Sequence, residues 1–329
     1  MFASALEARP VRDRPRTPLA PPDPWLFATV TGLVAIGIVM VFSASSATAY
    51  AVFHDTTYFL KRQIVWLVIG CVFAYGAYRI DYPKLKRISP LVLGVTFVLL
   101  LLTLVPHIGF SSGGARRWLG VGALSFQPSE VAKLAIVLFA AAKLSEIGDD
   151  VRSLVRGVAP LLFVTALIAM PIFVEPDMGT ASLVVFTALG MLLCAGMRIE
   201  HFIMVVIAML PAAIVAVGTS SYKRARVLAF LNPWKDPQNT GFHIVQSLLA
   251  LGSGGIFGVG LGESRQKFFY LPEAHTDFIF SVLGEELGLI GTLAVLGLFA
   301  AFAVRAFMIA MRTTDRFGFF VICGCTMLI

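Results

Sequence analysis

Apolar runs broken by short polar stretches fill the chain from Trp25 onward. Runs at roughly 25–43, 63–79, 88–105, 126–145, 158–174, 178–196, 202–218 and 276–304 approach or exceed the ~20 residues a helix needs to cross a bilayer core. A ninth opens near 317 and stops at Ile329, too short to span comfortably. Backbone polar groups in lipid must bond within their own segment, so runs of this length predict helices. The expected fold is all-α: a polytopic integral membrane bundle with eight spans and part of a ninth. The abrupt end in VICGCTMLI predicts a C-terminally truncated sequence with at least one helix beyond it.

Residues 1–24, with ARPVRDRPRTPLAPPDP, cannot bury a core and predict a disordered cytoplasmic tail. Ala47-Thr48-Ala49 resembles a signal-peptide cleavage site, but the apolar run before it exceeds the usual ~7–15-residue core of such peptides. It reads as an uncleaved first helix. Residues 25–329 are then one transmembrane domain with a long loop at about 219–275.

Composition agrees. Charged residues make up 14% of the chain, against about 25% in soluble domains. The net charge of +7 raises the question of nucleic acid, yet no basic stretch interleaves with the aromatics that single-strand binders stack on bases. In a membrane protein, Lys and Arg instead hold loops in the cytoplasm. With the N-terminus inside, fifteen fall on the cytoplasmic side and ten on the other, six of those in the one long loop. The N-terminus is therefore expected inside. GARRW (114–118), QPSE (127–130), VEPDMGT (174–180), the long loop and Asp277 are expected outside, where ATP is absent. Cys71, Cys194, Cys323 and Cys325 all lie in apolar runs and read as packing residues rather than a disulfide framework or zinc site. GSGGIFGVGLG (252–262) has glycines at dinucleotide-binding spacings, but no strand–turn–helix unit surrounds them. It reads as flexible or closely packed loop.

Acids in or beside a membrane-embedded run are costly and mark function by default. The stretch YLPEAHTDFIFSVLGEELG (270–288) keeps three in or beside its apolar run. Thr276 suits an N-cap and Asp277 the positive end of the next helix, a structural reading that stands beside a functional one. At 100° per residue Asp277, Ser281 and Glu285 share a stripe, while Glu286 points roughly the opposite way. Asp277 and Glu285, with Ser281, are expected to line an outward cavity, and Glu286 to pair with a neighbouring helix. His275 is a candidate base or metal ligand, or a structural loop histidine. Pro128 and Glu130 suit a first helical turn, and Glu130 and Lys133, at i and i+3, can pair either structurally or along the same cavity. Lys223, Arg224, Arg226, Lys235, Arg265 and Lys267 sit in the long loop against the inside bias. With Arg116 and Arg117 they fit diphosphate recognition as well as a solvated face. FHIVQSLLAL (242–251) is amphipathic enough for an interfacial or re-entrant helix, and Asp177 reads as a helix cap.

GARRW, QPSEVAK (127–133), EPDMGT (175–180), FLNPWKDPQNTGF (230–242) and YLPEAHTDFIFSVLGEELG together resemble the SEDS proteins (shape, elongation, division and sporulation) from about residue 25 to the end. NPWKDP with YLPEAHTDFIF is more similar to the division, FtsW-like, branch than to the elongation, RodA-like, one. The resemblance implies ten helices, about eight to nine of them here, in the bacterial inner membrane at the division septum. It implies a peptidoglycan glycosyltransferase that polymerises lipid II on the extracytoplasmic side. It further implies the essential acid at Asp277, an important pair at Glu130 and Lys133, and a divalent cation, Mg or Mn. The implied partners are a class B penicillin-binding protein and other division proteins, amid membrane lipids and without nucleic acid.

The chemistry is consistent with those residue types. Lipid II carries its sugar on an α-linked diphosphate and the product is β-1,4-linked, so one displacement with inversion suffices. The attacking hydroxyl needs a general base. A diphosphate leaving group needs cations rather than a general acid. One key acid and a basic loop fit this better than a glycosidase's paired carboxylates. A lipid II flippase and a non-enzymatic division scaffold are the alternatives; no inverted repeat is visible to support alternating access.

Overall fold

The computed structural model describes residues 21–106, 109–112, 115–121, 124–175, 177–218, 221–267 and 274–329. The predicted tail lies outside these except for its last four residues, as does the YLPE of residues 270–273. Along the chain run α1 (Pro24–Phe53), α2 (Tyr58–Arg79), α3 (Tyr82–Leu104), β1 (Phe110–Ser112), β2 (Ala115–Val121), β3 (Leu124–Phe126), α4 (Pro128–Ile147), α5 (Ala159–Val174), α6 (Met178–Cys194), α7 (Ile199–Gly218), α8 (Ser221–Leu231), α9 (Phe242–Ser253), α10 (Ile279–Arg312) and α11 (Arg316–Leu328). The all-α expectation holds. It is qualified only by a small antiparallel ribbon between α3 and α4, where Phe110 pairs with Trp118 and Leu119 with Phe126.

Among the described residues, five segments are long and apolar enough to cross a membrane: Pro24–Phe53, Tyr58–Arg79, Tyr82–Leu104, Leu154–Val174 and Ile279–Arg312. The chain is a multi-pass membrane protein. Capping chemistry sets several starts. Asp23 accepts from the Leu26 N–H at 3.0 Å, Asp177 accepts from Thr180 at 3.1 Å as predicted, and Asp315 accepts from Gly318 at 2.8 Å. The sequence reading leaves 221–231 as loop, whereas SYKRARVLAFL forms α8; its Lys, Arg, Ala and Leu are good helix formers.

The chain divides into two compact units, with boundaries inside α7 and α10. One comprises residues 80–207 and 306–329, the other 21–79 and 208–305. In the first, α4 is the central helix. Its charges at Glu130, Lys133, Lys143 and Glu146 make it a poor free-standing span. Its Ala132, Ala135, Ala140 and Ala141 are fully buried, and small residues let neighbouring helices approach closely. A methyl group on Gly324 of α11 would come within 2.6 Å of a Val137 methyl carbon and 2.8 Å of the Met191 sulfur.

In the second unit α1 and α10 run antiparallel. Asp23 receives two hydrogen bonds from Arg305, at 2.9 and 2.6 Å, Gly32 faces Leu298, and Ser43 bonds Glu286. Helix α10 is broken at Gly288, whose φ of 66° and ψ of −164° are non-helical. The glycine-rich loop after α9 repairs the break. Val259 and Gly260 donate to the carbonyls of Glu285 and Glu286 at 3.0 and 3.1 Å, and Leu289 and Ile290 donate to Gly255 and Ile256 at 2.9 and 3.2 Å. Irregular backbone at membrane depth is tolerated only when protein satisfies it in this way. The loop is closely packed, one of the two possibilities its composition left.

Only glycine fits at the contact. At Gly258 (φ +81°) a Cβ would lie 2.1 Å from the Glu286 carbonyl oxygen, whereas at Gly252 it would meet nothing within 4 Å. Gly258→Ala is therefore expected to cost about 1–3 kcal/mol or more and to lower the thermal midpoint in detergent. Gly252→Ala should leave that midpoint unchanged or raised.

Candidate functional site

The turn at residues 274–278 leads directly into α10. Phe278 supplies the carbonyl that accepts from Ser281 and Val282 at 3.0 and 3.2 Å. The helix thus starts two residues later than its sequence suggests, and Thr276 is not its N-cap. Flanking side chains fix the turn. Ala274 is buried with Met40, Ala44, Val282 and Leu283, and the His275 ring packs on Phe59 of α2 with centroids 4.4 Å apart. The Phe278 ring lies parallel to His243 of α9 at 5.8 Å. Asp277 between them is exposed, and among the described residues its carboxylate has no hydrogen bond or ion pair. An anchored turn presenting one free carboxylate is a geometry suited to accepting a proton. His275 is occupied in packing. Ser281, buried, meets Ser247 of α9 at 2.6 Å and joins the two helices.

The other two acids in or beside the apolar run, Glu285 and Glu286, are buried. Glu285, 2% exposed, accepts from the Ser264 hydroxyl and from the N–H groups of Arg265 at 3.0 Å and Gln266 at 3.4 Å. It holds a loop rather than lining a cavity, which corrects the shared-stripe expectation. The stripe was read on an isolated helix, without the loop that covers it. Glu286, 1% exposed, accepts from Ser43 of α1 at 2.6 and 2.7 Å and pairs with Lys267 at 3.2 Å. The predicted pairing with a neighbouring helix is what the structure has.

Lys267 itself is 3% exposed and also donates to the Gly262 carbonyl. It is spent on Glu286 and is corrected out of the diphosphate-binding set. Arg224, Arg226, Lys235 and Arg265 are exposed. The side chains of Arg116, in β2 opposite Ser111, and of Lys223, in α8, lie outside the described ones.

In the other unit, Glu130 opens α4 and pairs with Lys133 at 2.7 Å, Glu130 being the more exposed partner. Arg117, Gln127, Glu175 and Asp177, one or two residues from each of the GARRW, QPSE and EPDMGT motifs, meet nearby. Arg117 donates to the Glu175 backbone carbonyl at 3.0 Å and lies 3.9 Å from the Asp177 carboxylate, which also accepts from Gln127 at 3.3 Å. Arg117 thus ties β2 to the α5–α6 turn. Glu175, just past α5, is 1% exposed and bonds Thr103. The same Thr103 hydroxyl, which donates to the Glu175 carboxylate, lies 2.6 Å from the Leu100 carbonyl. Burial, aided by Asp177, raises the Glu175 pKa to about 7 against the opposing effects of Thr103 and Arg117.

The family model described as "Cell cycle protein" (FtsW/RodA/SpoVE) matches residues 24–329. The chain belongs to this family. It is 42% identical over 303 residues to "Stage V sporulation protein E" of Bacillus subtilis, covering 92% of this chain and 83% of that one. It is 42% identical over 310 residues to "Probable peptidoglycan glycosyltransferase FtsW" of Trichlorobacter lovleyi, covering 94% and 81%. A solved chain from work on coordination of polymerization and crosslinking by a peptidoglycan synthase complex is similar at a TM-score of 0.75 and 28% identity, covering 93% of this chain and 83% of that one. The membership accounts for the motif set and for the bundle of long apolar helices.

The family resemblance implies a divalent cation. Among the described residues no three His, Cys, Asp or Glu side chains form a group that could hold one. A resident all-protein cage is therefore not built from them. Mg in phosphate chemistry takes one or two carboxylates and fills its shell from phosphate and water, an arrangement that asks no more of this chain than an exposed carboxylate.

Glu175 gives a pH test. Its folded pKa is raised from 4.5 to about 7, so the stability it contributes is whole below its unfolded pKa and is lost as pH rises through 7. Between about pH 5 and pH 8 the wild-type thermal midpoint should fall by the equivalent of roughly 2 kcal/mol. Glu175→Gln, measured the same way, should remove that slope and be at least as stable as wild type at the upper end.

Proposed function

We infer that this chain is a peptidoglycan glycosyltransferase of bacterial cell division. The observation that carries the reading is the match to FtsW relatives named as probable peptidoglycan glycosyltransferases, 42% identical across nine-tenths or more of the chain. The substrate is lipid II and the reaction is displacement with inversion at the α-linked donor sugar. Asp277 is the general base. It takes the proton from the attacking C4 hydroxyl as that oxygen bonds C1 of the donor, and the C1–O bond to phosphate breaks to release undecaprenyl diphosphate. The support for Asp277 is its exposure and freedom within an anchored turn. The exposed Arg224, Arg226, Lys235 and Arg265, with Arg116 and Lys223, are candidate cations for the diphosphate, and Glu130 with Lys133 is the candidate supporting pair of the other unit. A Mg or Mn ion, carried largely by the diphosphate, would neutralise charge building on the leaving group.

The positive-inside count supports an extracytoplasmic site, and the division branch supports the septum as its place. A class B penicillin-binding protein is the partner. The support is the similarity to a chain from a peptidoglycan synthase complex that coordinates polymerization and crosslinking.

Labelled lipid II, offered to full-length protein with its partner transpeptidase and with Mg or Mn, tests the assignment. Asp277→Asn should reduce glycan formation by about 10²–10⁴-fold, the range for loss of a general base, with the protein folded and still bound to its partner. Near-normal polymerisation by that variant would refute the role.

A further inference from the structure

The break at Gly288 separates a short half-helix, residues 279–287, from the rest of α10. This half-helix carries the Asp277 turn at its head, so its rotation bears on where that turn sits. Beside the Ser281–Ser247 bond and the loop bonds to its last carbonyls, two adjacent carboxylates near its tail restrain it. Glu285 and Glu286 project about 100° apart around the axis, and each is bound to a different element. Glu285 takes the Ser264 hydroxyl and the Arg265 and Gln266 N–H groups. Glu286 takes Ser43 of α1 and the buried Lys267. Restraints in two directions fix both rotation and tilt, as one could not.

We propose that the buried Glu286–Lys267–Ser43 cluster is a positioning device for the reaction, fixing the rotation of the half-helix and thereby the place of the Asp277 carboxylate. The proposal rests on Asp277 as base. The geometry gives it leverage. Asp277 sits in the turn ahead of the half-helix, whose seven-residue step from Ile279 to Glu286 spans about 10 Å, and a side-chain oxygen lies ~5 Å or more from a helix axis. A rotation of 10–20°, the tolerance of a productive site, moves the carboxylate by roughly 1–2 Å. Misplacement by ~1 Å can cost about 10²-fold in rate. Burial of the ion pair makes the restraint stiff, because breaking it strands a charge away from water. The pair is buried whereas Arg224, Arg226, Lys235 and Arg265 are exposed, so substrate capture should depend on it little.

The test uses the full-length protein with its partner in proteoliposomes and follows kcat, KM for lipid II and thermal midpoint. Glu286→Gln and Lys267→Met each leave one buried charge unmatched, while the double variant replaces the pair with neutral side chains of similar volume. A positioning role predicts kcat lowered at least tenfold in Glu286→Gln, with KM within about threefold. It also predicts that the double variant recovers the thermal midpoint but not kcat, which keeps the test decisive if a single variant fails to fold. Recovery of kcat to within twofold in the double variant would show that the pair serves stability alone and would overturn the proposal. So would a folded Glu286→Gln with wild-type kcat. Asp277→Asn measured alongside separates the two readings: activity in Asp277→Asn removes the base itself, whereas its loss together with full activity in the pair variants removes only the positioning role.

Discussion

A helix that stops being helical inside a membrane must find partners for the backbone groups it frees. That requirement organises the 21–79 and 208–305 unit. The break at Gly288 leaves carbonyls and N–H groups that water cannot satisfy, and the loop between Gly255 and Gly260 supplies four bonds to them. Closeness at that contact demands glycine at 254, 258 and 288, where any Cβ would collide with backbone of the opposing strand of chain. Once the loop is docked, its continuation through Ser264 to Lys267 lies against Glu285 and Glu286. Those acids are then cheaper to keep than to lose, since each is fully bonded.

The three acids in or beside the apolar run, Asp277, Glu285 and Glu286, therefore divide by environment. Two are buried, bonded and architectural. One is exposed and unpartnered among the described residues, held by aromatic contacts of its neighbours rather than by contacts of its own. A reaction that needs one base and a cation-stabilised leaving group asks for this distribution and not for a pair of equivalent carboxylates. The basic loop divides similarly, with Lys267 drawn inward and Arg224, Arg226, Lys235 and Arg265 left outside.

Much of the fold was legible because membrane helices announce themselves by length and hydropathy. The cap at Asp177 and the pair Glu130–Lys133 were legible because local spacing determines them, and Glu286 was legible only as facing some neighbouring helix. The fates of Glu285 and Lys267 were not. Both depend on a loop twenty residues away in sequence that folds back on α10, and a helical wheel has no knowledge of what covers its face. The roles of Ser43, Phe59, His243 and Ser264 escaped for the same reason, being long-range partners in otherwise ordinary apolar or polar stretches. A signal for the loop did exist in the density of glycines at 252–262, which a solvated loop does not need. The ribbon at 110–126 was hidden by its shortness.

The central claim is that the chain makes a glycosidic bond rather than moving or docking its lipid substrate. The most direct measurement incubates lipid II with the full-length protein and its partner in proteoliposomes, then assays both the linkage of the product and the lipid released. The account predicts glycan strands cleaved by a muramidase specific for β-1,4 bonds, with one undecaprenyl diphosphate freed for each disaccharide added. Lipid II crossing the bilayer unreacted, with no glycan and no released diphosphate, would contradict it.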